Sequence, residues 1–252
     1  MKKLLIPFAL MLLVLMSCNR TKSNSNVVDV ESYSLIDSVF IESDYGSDYA
    51  YYTLNADLPV TDNDSLRKNI LHWMLSDDTE DYETFFENEK DRFFAEDGDE
   101  PRSTLETNYT LSEQTDLYVT YISEGFIYTG GAHPMPWYFG TSFSKVDGSI
   151  IGYDLFNDPE QLIGLISENI QKQYFDSINS EEEEYLFAPD ETFLLPTNEP
   201  WIEAGSVVFC YEPFEIAPYA AGMPLCKIAI DELKPYLSEK GKALLLNTTI
   251  QQ

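Results

Sequence analysis

The sequence predicts an α+β protein: mainly antiparallel sheet packed by about three to four helices, in two abutting subdomains. Strand-like runs and helical runs do not alternate regularly, which disfavours a doubly wound parallel sheet. Asp147-Gly148 stands between two strand-like runs as a hairpin turn. Two segments carry both helical spacing and helix-start signals. With 252 residues, 44% of them apolar, and with 17 Tyr, 15 Phe and 3 Trp, the chain can bury a core without disulfide staples. Collagen-like, coiled-coil and multi-pass membrane classes are excluded by this composition.

Element by element, residues 27–41 read as an irregular strand. Tyr52, Leu54, Ala56, Leu58 and Val60 then alternate as a second strand. Thr61 or Asp62 is expected to cap a helix in which Leu66, Ile70, Trp73 and Met74 share a face, ending near Ser76. Between Asp77 and Glu100 an acidic helix with an aromatic face, including Tyr82, Phe85, Phe86, Phe93 and Phe94, is expected to end at Gly98. Strands follow at 104–111 and 116–123, the second coverable on both faces. The strand containing Trp137, Phe139, Thr141 and Phe143 returns through the Asp147-Gly148 turn along 150–153. Asp158, Pro159 and Gln161 predict a capping box for a helix with Leu162, Ile166, Ile170 and Tyr174 on one face. Residues 181–184 read as a solvated acidic loop or helix end. Short strands are expected at 192–195, 206–211 and 225–230, and Asp231 is expected to cap a last helix ending at Gly241.

Residues 1–17 read as an export signal, with Lys2 and Lys3 before an uncharged apolar run too short to span a bilayer. Leu15-Met16-Ser17-Cys18 resembles the bacterial lipobox, so Cys18 is expected to be lipidated. Residues 18–26 would be a flexible tether. The expected location is the bacterial cell envelope, at the periplasmic face of the outer membrane. The compartment permits a disulfide between Cys210 and Cys226, and two buried thiols remain the alternative.

Fifteen Lys+Arg against 44 Asp+Glu give a formal charge of −29. Nucleic acid is not an expected partner, because phosphate contacts need clustered cations. Charged partners should instead be cationic. Chemistry is harder to place. His72 and His133 are the two histidines, and no H-E-x-x-H or C-x-x-C spacing exists, so neither a metal site nor a cofactor is expected. Gly140-Thr141-Ser142-Phe143-Ser144 lacks the second glycine of a nucleophile elbow, Lys240-Gly241-Lys242-Ala243 is not a phosphate loop, and Asp62-Asn63-Asp64 lacks the glycine of a calcium loop. No catalytic residue is nominated.

Two segments stand out: Tyr128-Thr129-Gly130-Gly131-Ala132-His133-Pro134 and Phe214-Glu215-Ile216-Ala217-Pro218-Tyr219-Ala220-Ala221-Gly222. Together, and with the Asp147-Gly148 and Asp154-Leu155-Phe156 segments in the same order, they resemble the RsiV-like domain family over residues 115–240. Residues 27–114 resemble the PdaC-like domain that accompanies it, and 241–252 form a tail. The resemblance implies an extracytoplasmic, non-catalytic α+β module of the type that serves as a lysozyme-binding ectodomain in anti-sigma factors. No sigma-binding segment is expected before Cys18 and no deacetylase domain after the module, so binding or scaffolding is what carries over.

Gly130, Gly131, Pro134, Pro218 and Gly222 are expected to shape the two turns. Flat rings beside turns can stack on sugar faces or anchor a protein partner, which nominates His133, Tyr128, Trp137, Tyr138, Trp201, Tyr211 and Tyr219 as ligand contacts, with Phe214 also flanking the second motif. Core packing is the competing role for these rings. The expected function is binding of a cationic protein such as lysozyme. The alternative is a glycan-binding or glycan-hydrolysing envelope protein acting on peptidoglycan or xylan-type chains through the His133 loop.

Overall fold

The computed structural model describes residues 27–43, 46–76, 79, 81–98, 100–176 and 194–246. The expected export signal, Cys18 and the tether lie outside the described residues, as do the acidic run at 181–184 and most of the tail. Of the strand expected at 192–195, only Leu194 and Leu195 are described, and they belong to no strand.

β1 (Asp29–Ser43) and β2 (Gly46–Val60) form a long hairpin whose register is unbroken from Ser43↔Gly46 to Asp29↔Val60. Ala50, Tyr52, Leu54, Ala56 and Leu58 all fall on the buried face of β2, which fixes the register because a one-residue slip would turn the set to solvent. The chain crosses over through α1 (Asp64–Leu75) and α2 (Tyr82–Arg92) to β3 (Thr104–Gln114), which pairs with β2 in parallel. The cap of α1 is Asn63, whose Oδ1 accepts the Leu66 N–H at 3.1 Å. Neither Thr61 nor Asp62 is the cap, because the helix starts at Asp64; the Thr61 Oγ1 instead accepts the Asn63 N–H one step before it. Ser76 closes the helix in the left-handed region at φ 52°. α2 runs on into a π turn, Phe93–Asp97, closed by Gly98, which sets both Phe93 and Phe94 against Tyr52.

β3, β4 (Tyr118–Tyr128), β5 (Met135–Ser144) and β6 (Ile150–Ile151) continue as an antiparallel meander, giving a six-stranded mixed sheet in the order β1-β2-β3-β4-β5-β6. The expected division between residues 114 and 115 falls inside this sheet, between the paired strands β3 and β4. Residues 118–123 of β4 are buried without alternation, because α1 and α2 cover one face and a second sheet covers the other. That second sheet is antiparallel: β7 (Trp201–Glu203), β8 (Ser206–Cys210) and β9 (Leu225–Ala229). On its far side α3 (Ile163–Ile170) buries Ile166 and Ile170 in a core with Val207, Phe209 and Ile228.

The start of α3 departs from expectation. Pro159 has no N–H and the Gln161 N–H bonds the Asp158 carbonyl, so the first turn is 3-10 and the Asp158 carboxylate takes the Gln161 side chain instead. The expected final helix is also two. α4 (Ile230–Leu233) passes into a 3-10 turn at Lys234–Tyr236, Leu237 extends to bridge Phe156, and Ser238 caps α5 (Glu239–Leu245) through the Gly241 N–H. Gly241 is therefore not a terminator. It is buried inside α5, where a Cβ would lie 2.2 Å from the Leu155 carbonyl oxygen. The described residues thus hold five α-helices and two sheets.

A closed ring of three hydrogen bonds joins the sheets. The Ile202 N–H donates to Ser142 Oγ (2.9 Å), Ser142 and Thr120 hydroxyls pair at 2.8 Å, and Thr120 Oγ1 donates to the Ile202 carbonyl (2.9 Å). Since the Thr120 proton goes to the carbonyl, the Ser142 proton goes to Thr120. Hydroxyls on β4 and β5 thereby satisfy the outer edge of β7 inside the core. Around the ring Ile122, Trp201, Val208 and Cys210 form an inter-sheet cluster.

Cys210 and Cys226 are free and buried, which corrects the disulfide reading. Phe209 pairs with Cys226 and Cys210 with Leu225, so the two cysteines project from opposite faces of the sheet. Cys210 joins the inter-sheet cluster, and Cys226 joins the core under α3.

Candidate functional site

The two motifs meet at one end of the sheets. After Tyr128 the chain turns through Gly130 and Gly131, at φ 96° and 94°, before re-entering β5. Nothing lies within 4 Å of a Cβ built on either glycine, so the backbone angle and not crowding is what requires them. The Tyr128 hydroxyl donates to the Gly131 carbonyl at 3.1 Å and braces the loop that carries His133 outward.

From the other side, the segment after β8 is tied by Glu215. Its carboxylate accepts the Glu212 N–H at 2.8 Å, the Thr197 N–H at 2.8 Å and the Thr197 hydroxyl at 3.0 Å. Pro218 enters a 3-10 turn, Tyr219–Ala221, that closes at Gly222 with φ 72°. The Tyr174 hydroxyl, from the π turn after α3, donates to the Ala221 carbonyl at 2.6 Å and holds this turn from behind.

Between the loops, the His133 imidazole lies on the Tyr219 ring with centroids 3.9 Å apart and planes 11° apart. The Tyr219 hydroxyl donates to the Pro134 carbonyl. Phe214, at φ 71° and 54% exposed, adds its ring 5.9 Å from Tyr219. Met135 is exposed next to Pro134. The result is a surface patch of ring faces around one imidazole, a composition suited to contact with a partner.

The other nominated rings divide. Tyr138 is half-buried and packs edge-on to Trp201 at 6.0 Å. Trp137 points to the opposite face of β5, where its Nε1–H donates to Ser123 Oγ at 3.2 Å and its ring occupies the space above Gly125. Trp201 and Tyr211 are core residues, which corrects their assignment as ligand contacts. Trp201 is sealed between the sheets, and the Tyr211 hydroxyl donates inward to the Leu194 carbonyl at 2.8 Å. Phe214, expected as a ring flanking the second motif, is exposed beside Tyr219. His72 is elsewhere, lining a cavity of about 580 Å³ with Asn69, Trp73, Ser76 and Ile150. Among the described residues, no group of three or more His, Cys, Asp or Glu converges as a metal site.

With this geometry in view, the comparisons assign part of the chain. Residues 153–231 match the family described as "Protein of unknown function (DUF3298)". The matched DUF3298 segment contains the Phe214–Gly222 motif and ends near the start of α4; the His133 loop lies before it. No curated protein matches the chain. Among solved structures, a DUF3298 family member from Bacteroides fragilis superposes with a TM-score of 0.71 at 16% identity, covering 89% of this chain and 99% of its own. A DUF3298 family protein from Pseudomonas aeruginosa gives a TM-score of 0.56 at 16% identity, covering 83% and 95%. At that identity the likeness concerns the fold, which extends well beyond the DUF3298 segment.

Proposed function

We propose that the protein is a non-catalytic lipoprotein of the bacterial cell envelope that binds a cationic protein, lysozyme being the concrete case, through the His133–Tyr219 patch. Cys18 would carry the lipid anchor, at the periplasmic face of the outer membrane. The observation that carries this reading is the stacking of His133 on Tyr219: it joins the two motifs that resemble the RsiV-like family into one exposed surface. The finer resemblance, an RsiV-like module preceded by a PdaC-like domain, agrees with a binding role. The formal charge of −29 supplies a field that speeds encounter with a basic partner and weakens with salt.

The test is calorimetric titration of the protein with a basic lysozyme at low and physiological salt, together with a lysis-inhibition assay. Saturable one-to-one binding that survives physiological salt, blocks lysis and is lost in His133→Ala and Tyr219→Ala is the expected result. Heat that disappears with salt would reduce the acidity to a solubility trait, and binding of peptidoglycan fragments instead would move the site to glycans.

A further inference from the structure

β1 is an edge strand of a kind that folded proteins usually disguise. It runs for 15 residues, roughly 50 Å at about 3.3 Å per residue, and among the described residues it pairs with β2 alone. It contains no proline, no lysine and no break in register. The orientation of its backbone follows from β2. Tyr49 accepts the Arg102 N–H and Tyr51 gives its N–H to the Ser103 carbonyl, so both turn toward β3. Their partners Phe40 and Ser38 are therefore in non-hydrogen-bonded pairs, and the even-numbered residues of β1 direct N–H and C=O groups to the open edge. The Ser38 N–H agrees, being taken by its own neighbour Asp37 at 2.8 Å.

The two faces flanking this edge differ in chemistry. On the even face Ile36 and Phe40 are 70% and 56% exposed. The odd face turns to α2 and is acidic: Glu31 and Asp37 stand beside Glu83 and Glu87. Burial, then Glu87 and Glu83, raise the pKa of Tyr33; burial, then Glu31, raise that of Tyr82. Lys90 reaches Asp37 at 3.4 Å and is shared with Glu87. An added strand would lie beside Ile36 and Phe40 on one face and beside Glu31 and Asp37 on the other.

We propose that the free edge of β1 takes an extended segment of a cationic partner as an added strand, with Lys or Arg alternating with apolar residues. Charge selects this occupant. A second copy of the chain would bring a strand that itself carries Asp29, Glu31, Asp37 and Glu42, on a body of like net charge. A basic strand pairs with them and also completes the backbone ladder. This surface is distinct from the His133–Tyr219 patch and stands independently of the lysozyme reading.

The probe is a peptide of about ten residues alternating Lys and Val, added to the full chain at physiological salt and followed by titration calorimetry and amide hydrogen exchange. Expected are saturable binding and slowed exchange at Val30, Ile36 and Phe40. The same peptide N-methylated at its valines should bind at least about tenfold more weakly, as should the wild-type peptide to Ile36→Pro. Ile36→Lys, which keeps the backbone N–H, tests the charge rule if the proline variant fails to fold, and should also weaken binding. Equal affinity for the N-methylated peptide, equal affinity for a peptide of blocked Lys and Val, or protection that appears without peptide and grows with protein concentration would each overturn the proposal. His133→Ala and Tyr219→Ala should leave peptide binding unchanged, so failure here and failure of the lysozyme reading are separable.

Discussion

A Cβ placed on Gly140 would lie 2.5 Å from the Trp201 ring. β5 and β7 thus meet where one strand has no side chain and the other has the largest, and this contact sets how closely the second sheet rides on the first. Gly140→Ala should destabilise the fold by about 1–3 kcal/mol through overpacking. Trp201→Ala, which opens a cavity instead, should cost about 3–5 kcal/mol. Urea unfolding followed by tryptophan fluorescence reads both. An unchanged midpoint in Gly140→Ala would mean that the sheets do not approach this closely.

The hydroxyl ring makes a second prediction about the same junction. Ser142→Ala leaves the Ile202 N–H without its acceptor in a buried seam, at a cost of about 1–3 kcal/mol. Because the ring is closed, Thr120→Val and Ser142→Ala should be non-additive, the double variant losing less than the sum of the singles. Strict additivity in a double-mutant cycle would show that the three bonds do not act together.

These two contacts mark what the sequence could and could not convey. α1 was legible because Leu66, Ile70 and Met74 repeat at helical spacing, β2 because its apolar residues alternate, and the β5–β6 hairpin because an Asp-Gly turn is a local signal; β1, without clean alternation, was legible only as an irregular strand. β7 was not legible. It is three residues long, and what holds it is a pair of hydroxyls 60 and 82 positions away. Aromatic residues near turns were visible, but whether a ring faces water or a neighbouring sheet is decided by contacts such as Gly140 under Trp201. The same limit applies to the last helix, whose break depends on Leu237 bridging Phe156. Both halves of the candidate site were recognised as motifs, yet their meeting, with Tyr219 reaching Pro134 across 85 positions, belongs to the fold.

Burial pushes the Cys210 and Cys226 thiols up to about 12, so neither should be a useful nucleophile in the native state. Native protein treated with iodoacetamide at neutral pH should be modified at neither position, and denaturant should expose both together. A disulfide-linked peptide joining them after digestion would contradict the opposite-face arrangement.

Lys145 is buried near the point where the described chain begins. Its Nζ donates to Gln114 Oε1 at 2.8 Å, and that amide also holds the Val28 N–H and carbonyl. Burial lowers its pKa to about 8, against the opposing pull of Asp116. Between that value and the ordinary lysine range the unfolded chain binds more protons than the folded one, so this group makes stability rise with pH across the window. The slope should be on the order of 1 kcal/mol per pH unit at most. Below the folded pKa the ammonium is charged in both states and its burial cost is fully present. Tyrosines titrate at the upper end, so the measurement is the difference between wild type and Lys145→Met in chemical denaturation from pH 7 to 10. A difference independent of pH would place the lysine in solvent.

Tyr219 does two things at once: its ring carries His133 and its hydroxyl holds the Pro134 carbonyl. Tyr219→Phe and Tyr219→Ala separate them. The phenylalanine variant keeps the stack and loses one hydrogen bond, so it should lose about 0.5–1.5 kcal/mol of stability and retain most affinity for a basic lysozyme. The alanine variant loses the platform, and a central ring of this kind should cost at least about tenfold in affinity. The structural part can be read without any partner. Ring current from Tyr219 should shift the His133 imidazole protons upfield in wild type and in Tyr219→Phe, and the shift should vanish in Tyr219→Ala. Unshifted His133 protons in the wild type would mean that the two loops are not joined. Shifted protons with undiminished lysozyme affinity in Tyr219→Ala would mean that the joined loops are architecture and that the partner docks elsewhere.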